Sequence, residues 1–92
     1  MKPLFIPLNA EFFRAFERGD KTVEYRRYGP RWHEGTCVPG RDVVLSCGYS
    51  GPRLVGTIVY FDIAISDDVG STCYGPNELL AAITITVHKS SP

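Results

Sequence analysis

Ile83, Ile85 and Val87 alternate without a break with Thr84, Thr86 and His88. On an extended backbone successive side chains point to opposite faces, so this pattern reads as a half-buried strand and would scatter apolar groups around a helix. The same period of two runs from Lys21 to Arg26, with Val23 and Tyr25 on one face and Thr22, Glu24 and Arg26 on the other. Leu4-Phe5-Ile6, set between Pro3 and Pro7, reads as a short edge strand, because proline cannot donate to a ladder. Val43-Val44-Leu45 and the long apolar stretch from Leu54 to Ile65 flank a Gly48–Pro52 turn and should form a hairpin. Gly56 within that stretch points to a bulge or bend, which lets a small sheet curl toward closure.

Two short helices are expected among these strands. Asn9 is a candidate N-cap, with Leu8 and Phe13 placed as a hydrophobic staple. Phe12, Phe13 and Phe16 then form an apolar stripe for the core, and Gly19 is placed to stop the helix. Glu78 to Ala82 reads as one or two further helical turns. The segment from about residue 28 to 41, rich in glycine and proline, is longer than an ordinary connection and is expected to be functional or mobile. With 92 residues there is room for a single domain spanning 1–92. The expected fold class is α+β: a small, mostly antiparallel β-barrel of about five strands with one or two short helices.

Ten basic and ten acidic side chains leave no net charge, so a general electrostatic hold on nucleic acid or on an anionic membrane is not expected. Between residues 21 and 53, however, Lys21, Arg26, Arg27, Arg31, Arg41 and Arg53 face only Glu24, Glu34 and Asp42, a surplus of three positive charges. Cys37, Cys47 and Cys73 are odd in number and lack a CxxC pair, which reads as free thiols in a reducing compartment. A zinc site using His33, Cys37 and one other cysteine is the less favoured alternative; neither metal nor cofactor is expected. The first residues are too short and too proline-broken for a signal segment, and no apolar run approaches membrane-spanning length. A cytoplasmic location and no membrane partner are the expectation.

Two stretches can carry chemistry. Gly19-Asp20-Lys21-Thr22-Val23-Glu24-Tyr25-Arg26 places an ammonium, a hydroxyl, a carboxylate and a guanidinium near the start of one strand, where Glu24 and Arg26 can cooperate on a ligand or simply pair on a solvated face. Tyr25-Arg26-Arg27-Tyr28-Gly29-Pro30-Arg31-Trp32-His33 interleaves rings with arginines, a combination that holds single-stranded nucleic acid through phosphates and base stacking. Tyr25 and Trp32 can equally be core anchors. His33 is a candidate ligand contact or general acid, and His88 reads as inert.

The order and spacing of Gly19, Lys21, Thr22, Glu24 and Arg26, then Gly40, Asp42, Val43 and Leu45, resemble the ASCH domain of the PUA-like superfamily, over roughly residues 3–65. The resemblance implies a β-barrel with a cleft beside the first helix and a link to RNA or modified nucleosides. One branch of small ASCH proteins hydrolyses the acyl group of N4-acetylcytidine with a lysine, a threonine and a glutamate. Its lysine matches Lys21, but its threonine lies where this chain has Glu24, and only Glu78 is available for its late glutamate. Thr22 follows the lysine directly, two positions and about 7 Å from the required place. The Glu24 form is similar to ASCH domains regarded as nucleic-acid-binding modules.

The expectation is therefore a module for RNA, or for a nucleoside or nucleotide, contacting its ligand through Lys21, Glu24, Arg26, Arg27, Tyr28, Arg31 and Trp32. The alternative is a hydrolase acting on a modified nucleoside or on RNA, with Lys21, Thr22 and Glu24 as its catalytic set. A partner-binding module without nucleic acid is a third reading.

Overall fold

A computed structural model describes residues 1–69 and 74–88. Five strands form one sheet: β1 (Leu4–Leu8), β2 (Val23–Arg27), β3 (Asp42–Cys47), β4 (Arg53–Ile65) and β5 (Leu79–Val87). The helix α1 (Ala10–Arg18) lies between β1 and β2 in the chain. Strand order is β1-β3-β4-β5-β2, with β1 parallel to β3 and every other pairing antiparallel. β1 and β2 are thus the two ends of the order, yet the guanidinium of Arg26 on β2 donates to the carbonyl of Pro7 on β1. The sheet is curled into a half-barrel whose seam runs between these edges, and the chain has the small, mostly antiparallel α+β architecture expected.

The seam is written into local chemistry. Leu8 accepts from the Gly48 amide, which turns the backbone groups of alternate residues toward β3 and those of Pro7 outward. A proline that cannot donate sits where no ladder donor is needed, as an edge strand requires. Asn9 caps α1, accepting from Phe12 N at 2.9 Å, and Gly19 ends it in the left-handed region at φ 84°. Phe13 and Phe16 are buried with Ile6, Leu8, Val43, Leu45, Ile58, Ile83 and Ile85 in the core of the half-barrel. Cys37, delivered by the 28–41 segment, completes that core, and Trp32 packs against it.

Several expectations are corrected. Residues 79–82 are not helical: Leu79 to Ala82 open β5 and pair with Ile65 to Asp62 on one side, and Leu80 to Ala82 with Arg27 to Tyr25 on the other. Two neighbouring strands satisfy every ladder group there, and that outweighs the good helix propensity of Leu and Ala. The only α-helix among the described residues is α1; a single 3₁₀ turn at Ser66–Asp68 follows β4. The bulge lies at Val59, between Ile58 and Tyr60, and not at Gly56. Gly56 has a different task, since a Cβ there would stand 2.6 Å from the Thr86 carbonyl oxygen and 3.0 Å from Ile85 Cγ2. Phe12 is not core but 38% exposed on the seam side of α1.

The 28–41 segment is tied down along its length. Gly29 and Trp32 exchange backbone hydrogen bonds at 3.1 Å, and Thr36 Oγ1 donates to the Arg31 carbonyl at 2.8 Å. Arg41 donates to the carbonyls of Thr36 at 2.8 Å and Lys2 at 3.0 Å. Cys37 and Cys47 are free thiols; Cys73 lies outside the described residues. Among the described residues no helix is long and apolar enough to cross a membrane, and no group of three His, Cys, Asp or Glu side chains could hold a metal.

Candidate functional site

A cleft of about 280 Å³ opens along the seam beside α1. Its volume lies near the lower bound of about 300 Å³ for small-ligand sites, enough for one ring system. Pro7, Leu8, Asn9 and Phe12 line it from the β1–α1 side, Lys21, Glu24, Tyr25 and Arg26 from β2 and its approach, and Val69 and Tyr74 from the β4–β5 connection.

The alternation of β2 explains the floor. Glu24 pairs with Ile83 and Arg26 with Ala81, both buried core residues, so the polar face of β2 is the one turned inward. Of the two readings open for this face, a ligand-facing one and a solvated one, the structure has it concave and largely shielded from solvent. Glu24 is only 5% exposed. Such a carboxylate must be compensated, and it is: Arg26 Nε donates to Oε2 at 2.8 Å, and Lys21 Nζ stands 3.6 Å from Oε1.

The two cations differ in what they have left to offer. Arg26 also donates to Pro7 and lies over the Trp32 ring at 4.9 Å, so its guanidinium is committed to bracing Glu24 and the seam. Lys21 Nζ lies 5.0 Å from the Phe12 ring centre, 5.6 Å from Phe16 and 5.7 Å from Tyr25. That is a cation–π environment, and among the described residues the ammonium has no hydrogen-bond acceptor within ordinary reach. The site therefore presents a braced carboxylate, one available ammonium and aromatic walls.

Glu24 and Arg26 are brought together as the strand spacing implied, and Lys21 joins them from the approach to β2, whereas Thr22, which the alternation placed on their face, is exposed and does not line the cleft. Its backbone carbonyl accepts from Ile85, which orients the residue toward the β5 side of β2. Arg27 pairs with Glu78 at 3.1 Å and lies 5.6 Å over Tyr74. Tyr28 donates its hydroxyl to the Glu34 carboxylate, at 2.8 Å from Oε2. That hydrogen bond raises the phenol above its ordinary pKa and lowers the carboxyl below its own. Arg31 is exposed over Trp32 at 5.4 Å with no carboxylate partner among the described residues. Arg27, Tyr28, Arg31 and Trp32 do not line the cleft; Trp32 reaches it only through Arg26. His33 Nδ1 and Ser46 Oγ are buried without a hydrogen-bond partner among the described residues, and His88 pairs with Thr57 Oγ1 at 2.6 Å.

Sequence reasoning missed Pro7, Leu8, Asn9, Phe12, Val69 and Tyr74 as lining residues. No local pattern marked them, Phe12 included: Phe12, Phe13 and Phe16 fall within about 100° of the helix circumference, an arc that one core face can take, and packing leaves Phe12 at its rim. Tyr74, which also donates to the Tyr25 carbonyl at 3.3 Å, arrives from a turn-rich connection that no local pattern places. No protein-family model matches the chain, and no curated protein matches it.

Proposed function

We propose that this chain is an ASCH-type, PUA-like module that binds RNA, or a nucleoside or nucleotide, with a base in the seam cleft. The observation that carries the reading is Glu24, a nearly fully buried carboxylate braced from two sides at the floor of a cleft walled by Phe12 and Tyr25. Glu24 accepts hydrogen bonds from the donor edge of a base or from a sugar hydroxyl, the rings stack on the heterocycle, and Lys21 Nζ meets the sugar or phosphate. Arg26 acts through Glu24 as a positioning residue. The free thiols of Cys37 and Cys47 fit a reducing, cytoplasmic setting.

Two further observations support binding over hydrolysis. Thr22, the nearest hydroxyl to Lys21 in the motif, stands outside the cleft, and Glu78 is held by Arg27. Nucleophilic attack needs reacting atoms about 3–3.5 Å apart. A thermal-shift screen of nucleosides and nucleotides tests the reading. A ligand at one hundred times its Kd adds about 2.7 kcal/mol to folding stability, and N4-acetylcytidine incubated with the protein should release no acetate. Release of acetate that Lys21→Ala abolishes would replace the module with a hydrolase.

A further inference from the structure

Outside the cleft, on the other side of its β1 wall, lies an arrangement of rings and charge that the proposed module does not use. Ile6 and Leu8 turn their side chains into the core, so alternation places Phe5 and Pro7 on the convex face. The register carries that face across three strands in two rows, Phe5–Val44–Val55 and Pro7–Ser46–Arg53. The β3–β4 turn then brings Tyr49 back over the first row: its ring lies 6.3 Å from that of Phe5, inclined by 33°, and is 78% exposed. Arg53 Cζ stands 5.1 Å over the Phe5 ring, and its Nη2 donates to the Tyr49 carbonyl at 3.1 Å. Arg53 is exposed and has no carboxylate partner among the described residues, unlike Arg14, Arg18 and Arg27, which pair with Glu17, Asp20 and Glu78.

We infer that Phe5, Tyr49 and Arg53 form a second subsite, which takes the nucleotides flanking the one held in the cleft of a single-stranded RNA. The inference rests on the proposed base-binding reading of the cleft and extends it from a single nucleotide to a strand. An exposed tyrosine against a half-buried phenylalanine offers a face for stacking a base, which every base can use. An arginine without a carboxylate partner, fixed over that same ring, supplies the phosphate contact, and a planar guanidinium suits it better than a lysine would. Pro7 links the platform to the cleft, because it lines the cleft and stands in register, across the buried Ser46, with Arg53. Two strand spacings separate them, about 10 Å. The neutral total charge of the chain fits this arrangement, since the strand would be held at a few unpaired cations and not by a diffuse field.

The test compares the wild type, Tyr49→Ala/Arg53→Ala and Glu24→Gln against two kinds of probe: the four ribonucleoside 5′-monophosphates, and a fluorescein-labelled pool of short single-stranded RNA of randomised sequence. Both substituted side chains in the platform variant are exposed, and its unfolding temperature is measured alongside. The platform variant should bind the monophosphates as the wild type does and bind the RNA about fivefold or more weakly, with a salt slope lower by about 0.7 for one lost phosphate contact. RNA affinity and salt slope equal to wild type in the platform variant would overturn the second subsite, and so would a wild type that binds RNA no more tightly than a monophosphate. Failure of the cleft reading looks different: monophosphate binding would be absent from the wild type or unchanged in Glu24→Gln.

Discussion

Replacing Arg26 by methionine should be among the most damaging single changes at the cleft, although Arg26 is not proposed to touch the ligand. Methionine keeps much of the stem but removes the hydrogen bond to Glu24 at 2.8 Å, the link to Pro7 across the seam and the guanidinium over Trp32. What remains is a carboxylate with 7% of its side chain exposed and a single cation, Lys21 Nζ, at 3.6 Å. Breaking one side of a buried ion pair costs about 3–5 kcal/mol. Because Lys21 stays and Arg26 is itself 19% exposed, the lower end applies, about 3 kcal/mol. A chain of this length holds about 5–14 kcal/mol in total, so the variant stays folded at room temperature. Its unfolding temperature should fall by about 12–24 °C, at about 4–8 °C per kcal/mol. Thermal and urea unfolding followed by circular dichroism measure the change, and Glu24→Gln with the double variant completes the cycle. The double variant should be more stable than the sum of the two single losses predicts, by about 1 kcal/mol or more. A loss below about 1 kcal/mol for Arg26→Met, or additivity to within about 0.5 kcal/mol, would refute the bracing role.

Phe12→Ala should weaken nucleotide binding while costing well under the roughly 3–5 kcal/mol expected for Phe13→Ala, because only Phe13 is fully buried; unfolding and binding measured on both variants separate the two roles. Gly56→Ala should lower stability by about 1–3 kcal/mol in urea unfolding, since the added methyl meets the Thr86 backbone at 2.6 Å and a ladder strand has little room to retreat. Burial pushes the Cys37 thiol above its ordinary pKa, so the folded state keeps a proton that the unfolded chain releases first. Stability from this group is complete below the ordinary thiol range and is lost as pH rises from there through the raised folded value. The unfolding temperature should therefore decline more steeply from pH 8 to pH 10 in the wild type than in Cys37→Ala.

The strands were legible because each is bounded by proline, glycine or a change of period, and α1 because Asn9 and Gly19 mark both of its ends. Leu79–Ala82 was not: a short apolar run without polar punctuation fits helix and strand equally, and only the partners on β2 and β4 decide. The cleft was half legible. Alternation put Glu24 and Arg26 on one face, but alternation has no sign, and that polar face is the inner one because Ile83 and Ala81 face the same way; Lys21 joins from before the strand and Thr22 does not. The aromatic-basic stretch lies away from the cleft, and its partners were not legible for a related reason. Tyr28 is held by Glu34, and Arg27 by Glu78, which lies 51 residues away in the chain. The walls supplied by Val69 and Tyr74 depend on a tertiary return of the chain that no spacing encodes.

Whether a nucleotide binds in the seam between β1 and β2 is decided by titrating the four ribonucleoside 5′-monophosphates into isotopically labelled protein and following each backbone amide by two-dimensional NMR. At least one of them should move amides around Asn9, Lys21, Glu24, Tyr25 and Tyr74 and leave the far end of the β3–β4 ladder, Asp42 and Thr57, where it was. A titration that moves no amide with any of the four, or moves a set away from the seam, would contradict binding there.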